Sequence, residues 1–233
     1  MVGQIILEKL SSNTITMKIK TLINTALVIS ILVACNKTDF TYPEGTVAGS
    51  KITYYADFKF SGDRYVLVKK GGAYTEAGVT ATENGADIPV TITGTVDTQT
   101  PGVYTLVYAA VNKDGFAAHL IRTVIVYETA ADAAAHDLSG NYARTSNGSV
   151  ATWTKIAPGV YKVFNPGGAP GTNLTVIAFN PEGFTIFIPE QVSSDETVTS
   201  SSNETYTNSN PPQYSWKIVN PGYGTSLRTF IKQ

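Results

Sequence analysis

The sequence predicts an all-β protein, with an N-terminal β-sandwich followed by a small C-terminal antiparallel β-barrel or sandwich. Charged residues make up only 15% of the 233 residues, whereas an average soluble domain has roughly 25%. Thr, Val, Tyr, Gly and Asn are abundant, and these residues suit strands and tight turns better than helices. Short strand-like runs recur about every 8–12 residues with turn residues between them, which is typical of sandwiches and small barrels.

The first 34 residues are predicted to hold an export signal rather than part of the fold. A basic start at residues 17–20 precedes residues 21–34, which carry no charge and are rich in Leu, Ile and Val. These 14 residues are fewer than the about 20 of a membrane-spanning helix, and they fit the roughly 7–15 of a signal-peptide core. We interpret residues 17–34 as a cleaved signal peptide and residues 1–16 as a spurious N-terminal extension.

The predicted signal ends in Leu32-Val33-Ala34-Cys35, and Cys35 is the single cysteine of the chain. This ending resembles the lipobox of bacterial lipoproteins, which implies cleavage before Cys35 and attachment of lipid to its sulfur. In the alternative interpretation, Cys35 is an ordinary small residue of a plain signal peptide. Residues 35–45 are then a tether. We expect a cell-envelope protein that is lipid-anchored to the outer membrane, on a face that the sequence leaves undecided.

The first predicted domain spans residues 46–128. Its clearest strand follows the Pro-Gly turn at 101–102, and Tyr104, Leu106 and Tyr108 share one face of it at a period of two. An Asp-Gly turn then leads into a last strand over residues 117–127. A strand over residues 88–92 would contain Pro89, which has no N–H to donate and therefore belongs at a sheet edge.

The same stretch resembles the bacterial Ig-like domains of Bacteroidetes lipoproteins. Tyr104 follows a chain corner, as in the tyrosine corner of immunoglobulin-type sandwiches. The resemblance implies a seven-strand Ig-like sandwich that acts as a spacer or an interaction module and carries no chemistry. The other residues that carry the resemblance are 72–74, 76–79, 101–103, 107–108, 112–115 and 122–126.

A second domain is predicted over residues 137–233, after an Ala-rich linker at 129–136. Consecutive strands joined by short turns favour an antiparallel meander, which closes into a barrel or folds into a sandwich. The polar tract 193–210 is either a mobile loop or an exposed hairpin. The expected strands are 150–156, 160–164, 174–179, 184–188, 214–219 and 226–231.

Two further resemblances concern this second domain. Its opening, residues 138–142, resembles the start of lipocalin-like lipoprotein domains. The layout of the whole chain resembles Bacteroidetes lipoproteins that pair an Ig-like domain with a C-terminal β domain of unknown function. That family is often linked with glycan-uptake systems, so the resemblance implies a part in such a system.

No sequence pattern predicts an enzyme, a metal site or a cofactor. His119 and His136 are the only histidines, and neither lies in a metal-ligand spacing. Glycoside hydrolysis usually needs two carboxylates that face one bond, and the positions of Glu182 and Glu190 do not establish such a pair. The net charge of −1 and the lack of a basic cluster argue against nucleic-acid binding.

Aromatic residues are the candidate ligand-binding groups of the second domain. Flat rings stack on sugar faces, and exposed rings mark recognition sites. The alternative is that these rings fill the core of a small β domain. Tyr206 and Tyr223 are the better candidates, because both lie among turn and polar residues. The full set is Trp153, Tyr206, Tyr214, Trp216 and Tyr223.

Together these observations favour a non-catalytic envelope lipoprotein that binds a glycan or a protein partner. The first alternative is a purely structural or assembly lipoprotein with the Ig-like domain as spacer, and the second is an envelope hydrolase. A solvent-facing row of two or more aromatic rings would favour glycan binding, whereas their complete burial would favour the structural role.

Replacement of the predicted lipid-bearing residue tests the anchor. Cys35→Ser removes the sulfur that would carry the acyl chains, and two or more chains are what hold a protein stably on a membrane. We expect the variant to leave the membrane fraction and the mature wild-type protein to have the mass of a form acylated on Cys35. A variant that stays entirely in the membrane fraction, or a mature protein with an unmodified sulfur, would contradict the anchor.

Overall fold

The computed structural model describes residues 41, 43–47 and 50–233, together with Met17. Apart from Met17, the predicted signal peptide lies outside the described residues, as do Cys35, the predicted lipid attachment site, and most of the predicted tether. The chain divides into two compact units, residues 1–52 and 53–233. In the first unit, β1 (Thr46–Val47) pairs with β2 (Ser50–Lys51) in an antiparallel hairpin. Among the described residues, no helix has the length and apolar character needed to cross a bilayer.

The N-terminal part of the second unit is a sandwich of seven strands in two sheets. One sheet has the order β3-β5-β6 and the other β4-β9-β8-β7, with β4 parallel to β9 and all other neighbours antiparallel. The predicted strand over 88–92 is interrupted at Pro89, and the chain passes from one sheet to the other there. The strands are β3 (Asp57–Phe60), β4 (Tyr65–Lys69), β5 (Val79–Glu83), β6 (Ala86–Ile88), β7 (Thr91–Thr93), β8 (Gly102–Val111) and β9 (Ala117–Tyr127).

The interior of the sandwich contains the residues that alternate along β8 and β9, together with the buried guanidinium of Arg122. The Tyr104 hydroxyl donates a hydrogen bond to the Thr100 carbonyl at 2.8 Å, which is the contact expected of a tyrosine corner. Arg122 is buried, its guanidinium lies over the Tyr108 ring, and it forms an ion pair with Glu76. This pairing matters because an unpaired buried charge costs several kcal/mol.

The C-terminal part is a barrel-like sheet of eight antiparallel strands, which follows the short helix α1 (Ala131–Ala135). Its strand order is β13-β12-β11-β10-β17-β16-β15-β14. The polar tract 193–210 holds a ten-residue strand rather than a mobile loop, whereas the predicted strand 184–188 makes only one bridge, from Phe187 to Phe179. The strands are β10 (Gly140–Arg144), β11 (Val150–Ala157), β12 (Val160–Phe164), β13 (Thr175–Phe179), β14 (Gln191–Val192), β15 (Val198–Thr207), β16 (Gln213–Val219) and β17 (Arg228–Lys232).

A side chain rather than a strand ladder joins the two ends of this sheet. The Gln191 amide accepts from the Ile177 N–H at 2.8 Å and donates to the Ile177 carbonyl at 2.7 Å, as a paired backbone would. On one side of this contact, Phe187 and Phe179 exchange backbone hydrogen bonds, and on the other the Ser194 N–H donates to the Thr175 carbonyl. The seam between β13 and β14 is therefore closed.

Aromatic rings fill the space that the eight strands enclose. Trp153 and Trp216 stack with their ring centroids 5.4 Å apart, and Tyr214 lies edge-on to both. Phe230 stacks on Tyr214 with the centroids 4.8 Å apart, and Tyr142 packs against Tyr214 as well. The Trp153 N–H donates to the Tyr214 hydroxyl at 3.1 Å, so these buried polar atoms are satisfied.

A smaller apolar cluster joins the sandwich to the barrel. Ile125 of β9 is fully buried together with Val160, Ile177 and Phe179 of the barrel. Residues 53–233 are accordingly one compact unit. We propose residues 46–128 and 137–233 as the two domains, with 129–136 as the linker; residues 46–52 of the first domain belong to the other unit.

The seam gives a stability prediction. Gln191→Met keeps the bulk of the side chain but leaves the buried N–H and carbonyl of Ile177 without partners, each costing about 1–3 kcal/mol. We expect the free energy of unfolding in urea to fall by roughly 2–4 kcal/mol. Gln213→Met, at an exposed site on β16, is the matched control and should change it by less than about 0.5 kcal/mol. Equal effects of the two substitutions would show that the seam does not depend on Gln191.

Candidate functional site

Three of the five aromatic candidates lie in the barrel core. Trp153, Tyr214 and Trp216 are at most 2% exposed, and their rings pack on one another as described above. They do not form a solvent-facing row, so the structure places them as core residues. Burial raises the pKa of the Tyr214 phenol well above its ordinary value, because the phenolate would have to form in an apolar interior.

Tyr206 is half-buried and faces the same interior. Its ring stacks on Phe184 with the centroids 5.3 Å apart and the planes nearly parallel. Its hydroxyl is 3.5 Å from that of Tyr142. The ring and the hydroxyl of Tyr206 therefore both contact other aromatic residues of the barrel. We conclude that Tyr206 contributes to the packing of the barrel rather than to an open surface.

Tyr223 is half-buried against the barrel core, and it is the candidate that also lines a surface groove. It lies on the turn between β16 and β17, and its hydroxyl is 3.1 Å from the Thr172 hydroxyl. The Arg228 guanidinium lies over its ring at 5.2 Å. The ring also packs on Gly167, where an added Cβ would come within 2.1 Å of Tyr223 Cε1, so a side chain at that position would displace it.

Arg228 holds the turn that carries Tyr223. Its guanidinium donates to the Ser226 carbonyl at 3.1 Å. Burial lowers the pKa of Arg228, and the nearby charge of Arg144 lowers it further. Because the pKa of an arginine is so high, Arg228 remains a cation at neutral pH.

Tyr223 lies at the end of an open groove of about 540 Å³ on the outer face of β15 and β16. We call this the β15–β16 groove. Its floor comes from the outward-facing residues of the two paired strands, where Ser200 lies opposite Val219 and Ser202 opposite Lys217. The groove is lined by Glu190, Val198, Ser200, Ser202, Asn203, Lys217, Ile218, Val219, Asn220, Pro221, Tyr223 and Thr225.

A β-bulge shapes one end of the groove. The register between β15 and β16 shifts between Ser202 and Thr205, and Asn203 has a φ of 56°, in the left-handed region that Asn tolerates better than most residues. At the other end, the Asn220 amide donates to the hydroxyls of Thr197 and Thr199 at 2.6 and 2.7 Å. Both ends are thus set by hydrogen bonds and backbone geometry rather than by loose loop packing.

The lining of the groove mixes hydroxyl, amide and apolar groups and has no net charge. Lys217 contributes one ammonium and Glu190 one carboxylate, while Val198 and Val219 are half-exposed. Pockets for small ligands combine apolar walls with a few convergent polar groups in this manner. Among the described residues, no three His, Cys, Asp or Glu side chains are placed to hold a metal ion.

Sequence reasoning named Tyr223 but missed the rest of the groove. The sequence feature that indicates the groove is the polar tract 193–210, whose Ser and Thr residues alternate between the two faces of β15. This tract was interpreted as a mobile loop or an exposed hairpin. The partner strand β16 supplies Lys217 and Val219 by the same alternation, from between the buried Trp216 and Ile218.

The sandwich matches a known family of protein domains. Residues 58–126 match the family described as bacterial surface protein, Ig-like domain. The sandwich is an Ig-like domain. This agrees with its seven strands and its tyrosine corner, and it leaves the barrel outside the matched residues.

The chain is also similar to the solved structure of a bacterial lipoprotein. The crystal structure of a lipoprotein from Bacteroides thetaiotaomicron is 26% identical over 77% of this chain and 100% of that chain, with a TM-score of 0.37. Because the TM-score is below 0.5, this similarity adds nothing to the description of the Ig-like domain or the barrel. No curated protein matches the chain significantly.

Proposed function

We propose that this chain is a lipid-anchored, non-catalytic protein of the cell envelope whose barrel binds a glycan in the β15–β16 groove. The match of residues 58–126 to a bacterial surface Ig-like family supports the envelope location. The lipobox-like ending at Cys35 supports the anchor, and the outer membrane is its proposed site.

The five candidate rings form no solvent-facing row of the kind that would favour glycan binding, so the binding role is carried instead by an open polar groove on a barrel whose interior is filled. A lipocalin-like ligand would occupy the interior, but six buried rings take up that space: Tyr142, Trp153, Tyr161, Tyr214, Trp216 and Phe230. Binding then requires an outer surface. At about 540 Å³ the β15–β16 groove has the size of a small-ligand site, for which roughly 300–1,000 Å³ is usual.

The chemistry of the lining suits a sugar. Sugars present hydroxyls that need both donors and acceptors, and Ser200, Ser202 and Asn203 supply both. The apolar ring faces of a sugar would lie on Val219 and Tyr223. A single carboxylate, Glu190, lines the groove, whereas glycoside hydrolysis needs two, so the groove is suited to binding rather than to cleavage.

A protein partner in place of a glycan is the second candidate for this surface. The half-exposed Val198 and Val219 favour it, since apolar side chains grouped on a surface mark contact sites. In that case the Ig-like domain and the barrel would act as an assembly component, and glycans would not bind.

The groove is tested with residues 36–233, which retain the whole compact unit, on a glycan array followed by calorimetry with the best ligand. We expect Lys217→Ala to weaken binding about 10- to 100-fold, because a hydrogen bond from a charged donor contributes about 1.5–3 kcal/mol. Tyr223→Phe keeps the ring on Gly167 and removes only the hydroxyl that contacts Thr172, so it should leave binding through the ring face nearly unchanged.

The matched control for this experiment is Lys59→Ala on the exposed face of β3 in the Ig-like domain, which should bind as the wild-type protein does. The absence of any bound glycan would contradict the proposal, as would an affinity that Lys217→Ala leaves unchanged.

A further inference from the structure

A second surface feature lies far from the groove along the chain, at the turn between β8 and β9. Tyr55 is 61% exposed, Phe116 48% and Tyr54 37%, and Val111 is also largely exposed. The Tyr55 and Phe116 rings are in contact, with centroids 5.7 Å apart. We call these four residues the hairpin-tip patch.

Buried polar side chains hold the hairpin-tip patch in place. Asn112 is almost completely buried, donates to the Tyr54 carbonyl at 2.6 Å and accepts from the Phe116 N–H at 2.7 Å. The turn is also fixed from β5, because Glu83 accepts from the Lys113 N–H at 2.8 Å. Four apolar side chains are thus kept in water by a preorganised scaffold, which is costly unless something covers them.

The tip carries two carboxylates, Glu83 and Asp114, and one ammonium, Lys113, so its charge is only partly neutralised internally. The Lys113 ammonium is 2.6 Å from a Glu83 carboxylate oxygen and lies over the Tyr54 ring at 5.6 Å. Hydrogen bonds from Lys113 lower the pKa of Glu83, so the carboxylate is ionised at neutral pH. With one ammonium and two carboxylates the tip has a net charge of about −1, so an uncharged or zwitterionic surface suits it better than an anionic one.

The ring geometry argues against a sugar at this position. The Tyr55 and Phe116 planes are inclined by 56°, so they offer no flat platform for a sugar ring. A bilayer interface has no such requirement. Tyrosine is enriched at membrane interfaces because its ring is apolar and its hydroxyl remains in contact with water.

Part of the hairpin-tip patch also lies close in sequence to Cys35, the predicted lipid attachment site. Tyr54 follows Cys35 by 19 residues. Even a fully extended chain of that length reaches only about 65 Å. A lipid on Cys35 therefore keeps the hairpin-tip patch within about 65 Å of the bilayer and raises its effective concentration at the surface.

We propose that the hairpin-tip patch inserts into the headgroup region of the bilayer that holds the Cys35 lipid, which adds a second contact and orients the protein on the membrane. This inference rests on the proposed lipid anchor. The other end of the β8–β9 hairpin leads through Tyr127 to the linker and the barrel.

The single cysteine allows a direct test. Residues 35–233 are coupled through the Cys35 thiol to a maleimide lipid in phosphatidylcholine vesicles, and hydroxyl-radical footprinting measures side-chain accessibility. Coupling should slow the modification of Tyr54, Tyr55 and Phe116 relative to the uncoupled protein. Tyr65 and Phe164 are internal controls, since they are 37% and 45% exposed, and their modification should not change.

A second measurement uses protein without any anchor. Uncoupled residues 36–233 should partition weakly onto the same vesicles, and Tyr55→Ser combined with Phe116→Ser should lower the partition coefficient about tenfold. The double variant Tyr65→Ser with Phe164→Ser should leave it unchanged.

Three results would overturn the inference. Equal protection of the tip and control residues would do so, as would partitioning that the tip variant does not alter. The third is protection in native envelopes combined with none on lipid vesicles, which would assign the patch to a protein or glycan partner. Chemical coupling makes these outcomes independent of acylation in the cell, which the Cys35→Ser fractionation tests separately.

Discussion

The stacking of Trp153 on Trp216 inside the eight-stranded sheet is the contact on which the arrangement of the barrel depends. With Tyr214, Phe230, Tyr142 and Tyr161 around it, the pair fills the space that the strands enclose. Interiors of this kind are as closely packed as molecular crystals, so no ligand enters without displacing rings. The filled interior moves any binding function to the outer face, where the β15–β16 groove lies.

Closure of the sheet follows from the same requirement. A core of large rings has to be enclosed on all sides, yet β13 and β14, the two ends of the sheet, form no ladder with each other. The Gln191 side-chain amide joins the two ends instead, because it bonds to both the N–H and the carbonyl of Ile177. Ile177 in turn belongs to the cluster with Ile125 of the Ig-like domain, so the seam of the barrel also joins the two halves of the compact unit.

Much of the fold could be predicted from the sequence, because alternation along β8, β9, β11 and β16 is local. The sandwich and the antiparallel meander followed from it, whereas the Ig-like assignment came from the resemblance to bacterial Ig-like domains. Alternation along a strand shows that its two faces differ, but it does not show which face points into the barrel. Trp153 and Trp216 were therefore candidates for both the core and the surface. The β15–β16 groove depends on pairing between strands, and the hairpin-tip patch brings Tyr55 to Phe116 across 61 residues of chain.

The most direct test of the filled interior uses tryptophan fluorescence, because the two tryptophans of the chain, Trp153 and Trp216, both lie in the barrel core. We predict that iodide does not quench the emission of the native protein and that apolar dyes neither bind the barrel nor alter that emission. Quenching by iodide in the native state, or energy transfer from tryptophan to a bound apolar dye, would show an accessible interior and contradict the account.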